Sequence, residues 1–179
     1  NEHGWWWAHA YGYEAGMSTW IVECSNETFD KSGLDELDEA ATKKYCEEIF
    51  KADLDGHPLI TNRSVWRTFP VVRNEKLFYR NMVLIGDAVR SAHFSIGSGT
   101  KLAMEDAIAL ADCIANTDAV GSALQRYQVT RKEDADRLQR TAVTSLSWFE
   151  HIDRYATAQE PEQFVFNMIC RSKRVTYDN

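Results

Sequence analysis

The stretch Asn81–Asn116, NMVLIGDAVRSAHFSIGSGTKLAMEDAIALADCIAN, decides how the chain is read. It opens on Met82-Val83-Leu84-Ile85, an apolar run bounded by polar residues and too short for a helix, which predicts a buried strand. Gly86-Asp87 closes that strand, and a loop carrying Gly97 and Gly99 follows. From Thr100 onward, Leu102, Ala103, Ala107, Leu110, Ala111 and Ile114 recur at helical spacing. Strand, glycine loop and helix in this order make a turn suited to a ligand. Glycine lets a bound group approach the backbone, and the unpaired N–H groups of a helix start favour negative charge.

Two plainer readings compete with that one. Glycines before a helix also serve as ordinary turn residues. Gly97-Ser98-Gly99-Thr100-Lys101 contains the residue types of a phosphate loop, but not in Walker order, where Gly-Lys-Ser/Thr follows four spacer residues. Nor is it a dinucleotide fingerprint, since Leu102 stands where the third glycine belongs. The residues alone thus leave two choices: an anion or cofactor edge at a helix N-terminus, or a simple turn.

The stretch resembles the second FAD-binding motif of the single-component flavoprotein aromatic hydroxylases, the p-hydroxybenzoate hydroxylase type. That pattern runs roughly G-D-A-A-H, three residues, P, two residues, G-x-G-x-N, then a helix containing E-D-A. Gly86, Asp87, Ala88, Gly97, Gly99, Glu105, Asp106 and Ala107 match it in register. Arg90, Phe94 and Lys101 depart from it, standing where the family has His, Pro and Asn. The wording HFSIGSGTKLAMEDAIALA, His93 to Ala111, is similar to a narrower branch, the salicylyl-CoA 5-hydroxylases and aminobenzoyl-CoA monooxygenase/reductases. The segment HAYGYEAGMSTWIVEC (His9 to Cys24) and Ala123-Leu124-x-x-Tyr127-x-x-x-Arg131 resemble the same family, and SKRVTYDN (Ser172 to Asn179) resembles the run-up to a further flavin-dependent domain.

This resemblance implies an α+β fragment of an FAD/NAD(P)-binding monooxygenase fold. An antiparallel or mixed substrate-domain sheet with one helix would occupy residues 1–80, the FAD motif 81–116, and C-terminal helices 117–179. FAD is the implied cofactor and NAD(P)H the co-substrate; the reduced flavin would use O₂ to hydroxylate a small aromatic substrate, a CoA thioester being one option. Gly86 and Asp87 would meet the ribityl or pyrophosphate side of FAD, and the backbone of Gly97, Ser98, Gly99, Thr100 and Lys101 the isoalloxazine edge. His93, Phe94 and Trp20 are the candidates for the aromatic substrate, and no residue is assigned a catalytic role. In the family an N-terminal Rossmann unit with GxGxxG holds the adenine half of FAD. No such unit stands in these residues, so the isolated chain is expected to bind FAD weakly or not at all. The competing class is a binding or oligomerisation module that keeps the fold without the chemistry.

Composition fits the resemblance. With 179 residues, 44% hydrophobic and 26% charged, the chain can bury a good core as one domain or two small lobes. Its net charge of −7 argues against nucleic acid and anionic membrane surfaces as partners. No apolar run reaches the roughly 20 residues of a membrane span, and Asn1-Glu2-His3-Gly4 has no secretory leader. A cytoplasmic protein is expected, with a homo-oligomer as an open option. The chain does not begin with Met and reads as a piece of a longer one. Cys24, Cys46, Cys113 and Cys170 are scattered without ligand spacing, which predicts reduced thiols and no metal.

Along the chain, His3 to Cys24 predicts a hairpin turning at Glu14-Ala15-Gly16, with Trp20, Val22 and Cys24 on one face. Trp5-Trp6-Trp7 suits either a ring-stacking site or, more ordinarily, a half-buried sheet, and His3 and His9 read as sheet or core histidines. Phe29 to Gly56 predicts an acidic helical region, with a capping box at Ser32–Asp35, Tyr45, Cys46, Ile49 and Phe50 on its apolar face, and solvated acids elsewhere. SVWRTF and KLFYR, in the region ending at Arg80, are expected as strands whose Arg67, Arg73 and Arg80 grip an anion or line a sheet edge. A long helical region is expected from Asp118 to about Tyr155, and a last helix opened by Pro161.

Overall fold

A computed structural model describes residues 1–173, 175 and 176; residues 174 and 177–179, and with them half of the SKRVTYDN resemblance, lie outside the described residues. The chain divides into two compact units, Asn1–Thr68 and Phe69–Asn179. The class is α+β, with seven α-helices and two small antiparallel sheets among the described residues.

The first unit is built on the expected hairpin. Strand β1 (Trp6–Glu14) pairs antiparallel with β2 (Met17–Cys24), and Gly16 turns the chain at φ 75°. Trp6 opposes Cys24, Ala8 opposes Val22 and Ala10 opposes Trp20, so these six side chains share a face. That face carries the aromatic core. Trp6 meets Tyr45 edge-on at 5.6 Å and Trp66 at 6.1 Å, while Trp20 meets Phe50 at 5.6 Å. On the other face, Glu23 accepts the Trp7 indole N–H at 2.8 Å and stands 3.1 Å from His9 Nε2.

Helix α1 (Asn26–Ser32) starts at Ser25, whose hydroxyl accepts the Thr28 N–H, and ends on Gly33 in the left-handed region at φ 65°. The capping box placed at Ser32 is therefore corrected: Ser32 closes a helix, donating its hydroxyl to the Phe29 carbonyl at 2.7 Å. The next helix, α2 (Glu39–Ile49), is capped by Asp38, which accepts the Ala41 N–H at 2.8 Å. A short α3 (Lys51–Leu54) ends before Gly56. Two of the acids expected to be merely solvated bind the loop beyond it, Glu47 accepting from Leu59 N–H and Glu39 from Ser64 N–H. SVWRTF is not a strand. Trp66 packs between Trp6 and Phe29, while Val65 and Phe69 stay exposed.

In the second unit the strands shrink to a two-residue ladder, β3 (Phe78–Tyr79) against β4 (Met82–Val83), turning at Arg80 with φ 55°. The expected buried strand Met82–Ile85 is thus corrected: Val83 and Leu84 face the core, but Met82 and Ile85 are exposed. Pairing explains it, since β4 has a ladder partner on one edge alone among the described residues. Arg73 reaches Asp136 at 3.6 Å and Arg80 lies over the Tyr79 ring, so both have local partners.

Helix α4 (Gly99–Ala115) packs on α5 (Val120–Glu150), which runs as one long helix and breaks at His151 before α6 (Ile152–Ala158). Helix α7 (Pro161–Cys170) opens with proline in its first turn and a Glu160–Gln163 capping box. Leu77, Val89, Cys113, Ala123 and Tyr127 form the core at the α4–α5 crossing. Along α5, Leu124, Tyr127, Ala142 and Phe149 are buried, whereas Val129 and Val143 are exposed. Around Trp148, Tyr155 stacks at 5.0 Å and Asn167 accepts the indole N–H at 2.7 Å, which ties α5, α6 and α7 together.

Candidate functional site

The motif begins where β4 gives way to a 3-10 turn, Gly86–Ala88. Gly86 holds φ 58°, and a methyl group there would come within 3.0 Å of the Ala103 Cβ. Glycine is required on both counts: the left-handed backbone and the close approach of α4. The backbone N–H of Gly86 donates to Asp106 Oδ2 at 3.0 Å. Asp87 is exposed beside it, with its carboxylate free of any side-chain hydrogen bond among the described residues.

Asp106 is the hub of the site. It is fully buried in the middle of α4, on the face that also carries Leu102 and Cys113. Arg90 Nη2 donates to both of its oxygens, at 2.7 and 2.8 Å, and Arg131 Nε donates at 2.9 Å. Arg131 also donates to Glu105 Oε2 at 3.0 Å, and Glu105 pairs with Lys101 one turn back. Burial alone would pull the Arg131 pKa down. The bonds to Asp106 and Glu105 outweigh it, so the guanidinium is held above its ordinary value. The hydrogen bond from Lys101, helped by Arg131, holds the Glu105 carboxyl below the usual range. Arg90, Arg131 and Lys101 set against Asp106 and Glu105 leave one positive charge in excess.

The other end of the motif is open. Among the described residues no side chain caps α4: the Ser98 hydroxyl turns back to the Ile96 carbonyl at 3.1 Å. The first backbone bond of the helix runs from Leu102 N–H to the Ser98 carbonyl, at 3.0 Å. The N–H groups of Gly99, Thr100 and Lys101 therefore have no partner within the helix. Gly97 sits at φ 60°, and a methyl group at Gly97 or Gly99 would meet nothing within 4 Å. The first turn of the helix contains no acidic residue. Unpaired donors and room beside the glycines are what an anionic group needs, and reduced flavin fits that requirement.

Between the two ends runs the loop of His93 and Phe94. Their rings stack at 4.5 Å, with Phe69 edge-on to Phe94 at 5.3 Å. Ser95 links this loop to α5 through Ser145, at 2.8 Å, and Arg171 fastens it from the C-terminal side. Arg171 donates to the Ser95 carbonyl at 2.8 Å, to Ser145 Oγ at 3.0 Å and to the Met168 carbonyl at 2.6 Å, over the face of Phe149. Gly86, Asp87, His93, Phe94 and the 97–101 loop thus lie together in the second unit, along the approach to α4. Trp20 lies in the first unit, where its ring meets Phe50 edge-on. Two open grooves of about 490 and 610 Å³ lie around α6 and α7, bordered by Trp148, Asn167, Gln159 and Phe166, and contain no residue of the motif.

Asp106 and Arg131 are visible in the sequence only as matches to a pattern. A signal for their role is present all the same: position 106 falls on the apolar stripe of α4, and a charge placed there must be paired. Among the described residues no group of three or more His, Cys, Asp or Glu side chains is placed to hold a metal, and no helix is long and apolar enough to cross a membrane.

A glycine-turned strand end, an uncapped helix start and a buried carboxylate network beside them suit a chain of the flavin-dependent monooxygenase class, and the comparisons with known proteins agree. The chain is 42% identical, over 95% of its length, to a salicyloyl-CoA 5-hydroxylase from Streptomyces, of which it covers 35%. It is 37% identical over 93% of its length to the protodeoxyviolaceinate monooxygenase of Chromobacterium violaceum, covering 44% of that protein. It is 30% identical over 70% of its length to an FAD-dependent monooxygenase from Arthrinium, covering 20% of it. By homology over nearly its whole length the chain belongs with the aromatic monooxygenases, spanning less than half the length of the curated relatives it matches. No family model matches it.

Proposed function

We propose that this chain is the flavin-side portion of an FAD-dependent monooxygenase that hydroxylates an aromatic ring, taking an aromatic acyl-CoA such as salicyloyl-CoA or a related aromatic acid, with NAD(P)H as reductant. The observation that carries the reading is the uncapped α4 N-terminus beside the Gly86–Asp87 turn. It sits in a chain 42% identical to a salicyloyl-CoA 5-hydroxylase. When bound, FAD would supply the reduction by nicotinamide and the activation of O₂. The chain's own residues supply binding and field. Asp87 would hold the ribityl or pyrophosphate side of FAD. The Gly99, Thr100 and Lys101 N–H groups would hold the isoalloxazine edge, where the helix dipole would steady negative charge. Phe94 and His93 offer an aromatic wall to the substrate ring.

The test is made on the full-length protein that contains this chain. It should purify with the absorbance of bound flavin, release FAD on denaturation, and couple NAD(P)H oxidation to hydroxylated product when given salicyloyl-CoA. A full-length protein that takes up no flavin would contradict the reading and favour a binding module that has kept only the fold.

A further inference from the structure

We propose that Asp106, which is too deeply buried to touch a ligand, is a positioning residue that fixes the Gly86–Asp87 turn for the cofactor. This rests on the flavin reading above and adds to it a residue and a mode of action. Asp106 is 0% exposed, and one of its oxygens accepts the Gly86 N–H at 3.0 Å. Gly86 immediately precedes Asp87, so this bond fixes the peptide from which Asp87 projects. The carboxylate is itself immobilised, by Arg90 Nη2, which reaches both of its oxygens, and by Arg131 Nε. These residues come from three places: the segment just past the turn, the middle of α4 and the first half of α5. The strand end and helix α4 are thereby locked in one register.

Arg90 makes the arrangement distinctive. Its backbone bridges to Arg73, its side chain is 3% exposed, and its Nε is buried without a hydrogen-bond partner among the described residues. A buried guanidinium that gives up one donor and still reaches Asp106 through Nη2 is there for the carboxylate. Charged bonds of this kind are short and directional, which suits a group that has to hold a backbone still. The cost of burying them is met only while all the partners are present.

A double-mutant cycle on the full-length protein separates positioning from mere stability. FAD affinity is measured by fluorescence titration of the apoprotein for wild type, D87A, D106N and D87A/D106N, alongside apoprotein melting temperatures. The D106N substitution retains an acceptor for the Gly86 N–H but removes the charge that the two arginines hold. D106N alone should weaken FAD binding about tenfold, and the effect of D87A should shrink by a similar factor in the D106N background, as for coupled residues. If D106N does not fold, R90Q leaves Asp106 bonded to Gly86 and Arg131, and the cycle of D87A with R90Q reads the same coupling at smaller size. Additive losses of affinity in the cycle, or a D106N variant with a lowered melting temperature and unchanged affinity, would overturn the positioning role while leaving the flavin site standing. A D87A variant with unchanged affinity would overturn the positioning role while the flavin site stood, and a wild type that binds no FAD would overturn both.

Discussion

The two ends of the motif are built in opposite ways. At Gly86 every group is spoken for: a left-handed glycine under Ala103, an amide on Asp106, and a carboxylate held by two arginines. At Gly97–Lys101 the helix start has no side-chain cap among the described residues, and open space lies beside both glycines. The difference teaches where free energy is kept and where it is left available. A buried carboxylate network holds its shape without help but fails badly when one member is lost. An uncapped helix start forgoes the ~1 kcal/mol a capping side chain would add, and recovers it when an anion arrives.

If this contrast is right, damage at the first end costs stability as well as ligand affinity, and damage at the second falls on ligand with little cost in stability. The largest effect belongs to Asp106→Ala, which leaves Arg90 and Arg131 buried without their carboxylate. Loss of about 3–5 kcal/mol of stability is expected, seen as a collapse of the unfolding midpoint in urea. A variant with a near-native midpoint would break the comparison. Gly86→Ala comes next. It forces φ 58° on an alanine and brings its methyl within 3.0 Å of Ala103. About 1–3 kcal/mol should be lost, by the same measurement.

A third prediction uses pH. The Tyr127 hydroxyl donates to the Leu84 carbonyl, two residues before Gly86. Burial first, and then the Asp106 charge, push its pKa from 10.0 up to about 12. The folded state therefore holds this proton after the unfolded chain has released it. The contribution is intact below pH 10.0 and disappears as pH climbs toward about 12. Between those values, stability should fall more steeply with pH for wild type than for Tyr127→Phe, read from melting curves; parallel slopes would count against a buried, protonated Tyr127.

The smallest effect on stability is expected at the open end. Lys101 is exposed and paired with Glu105. Its loss in Lys101→Asn should move apoprotein stability by no more than about 0.5 kcal/mol in either direction. The ligand should feel it more. In the full-length enzyme the flavin reduction potential should fall, or anionic substrate should bind more weakly, because a positive charge has left the helix start. Redox and substrate titrations both matching wild type would show Lys101 to be a solvent-facing lysine and nothing more.

How much of this the sequence shows depends on the residue. Helix α4, the Gly97 loop and the hairpin of β1 and β2 are legible, because periodicity and glycine placement act locally. The run Met82–Ile85 reads as a buried strand and is not one, since burial depends on which strands lie alongside, and that is not a local property. SVWRTF misleads for the same reason: β-branched and aromatic residues favour a sheet only where a partner edge exists. Ser32 and Asp38 both offer an oxygen acceptor for a helix start, and only Gly33 in the left-handed region shows that Ser32 ends a helix. The network around Asp106 joins residues 86, 90, 106 and 131, a separation no window along the chain spans. What can be read is a charged residue on an apolar stripe, together with an arginine where the general pattern of such hydroxylases carries histidine.

Hydrogen exchange on the full-length protein, with and without FAD, tests most directly the claim that the open end receives the cofactor. The amides of Gly99, Thr100 and Lys101 have no partner in the helix, so they should exchange quickly in the apoprotein and slow at least about tenfold on FAD binding. The amide of Gly86, already bonded to Asp106, should be protected in both states. FAD that binds while the peptide covering Gly97 to Lys101 exchanges at its unliganded rate would contradict the assignment.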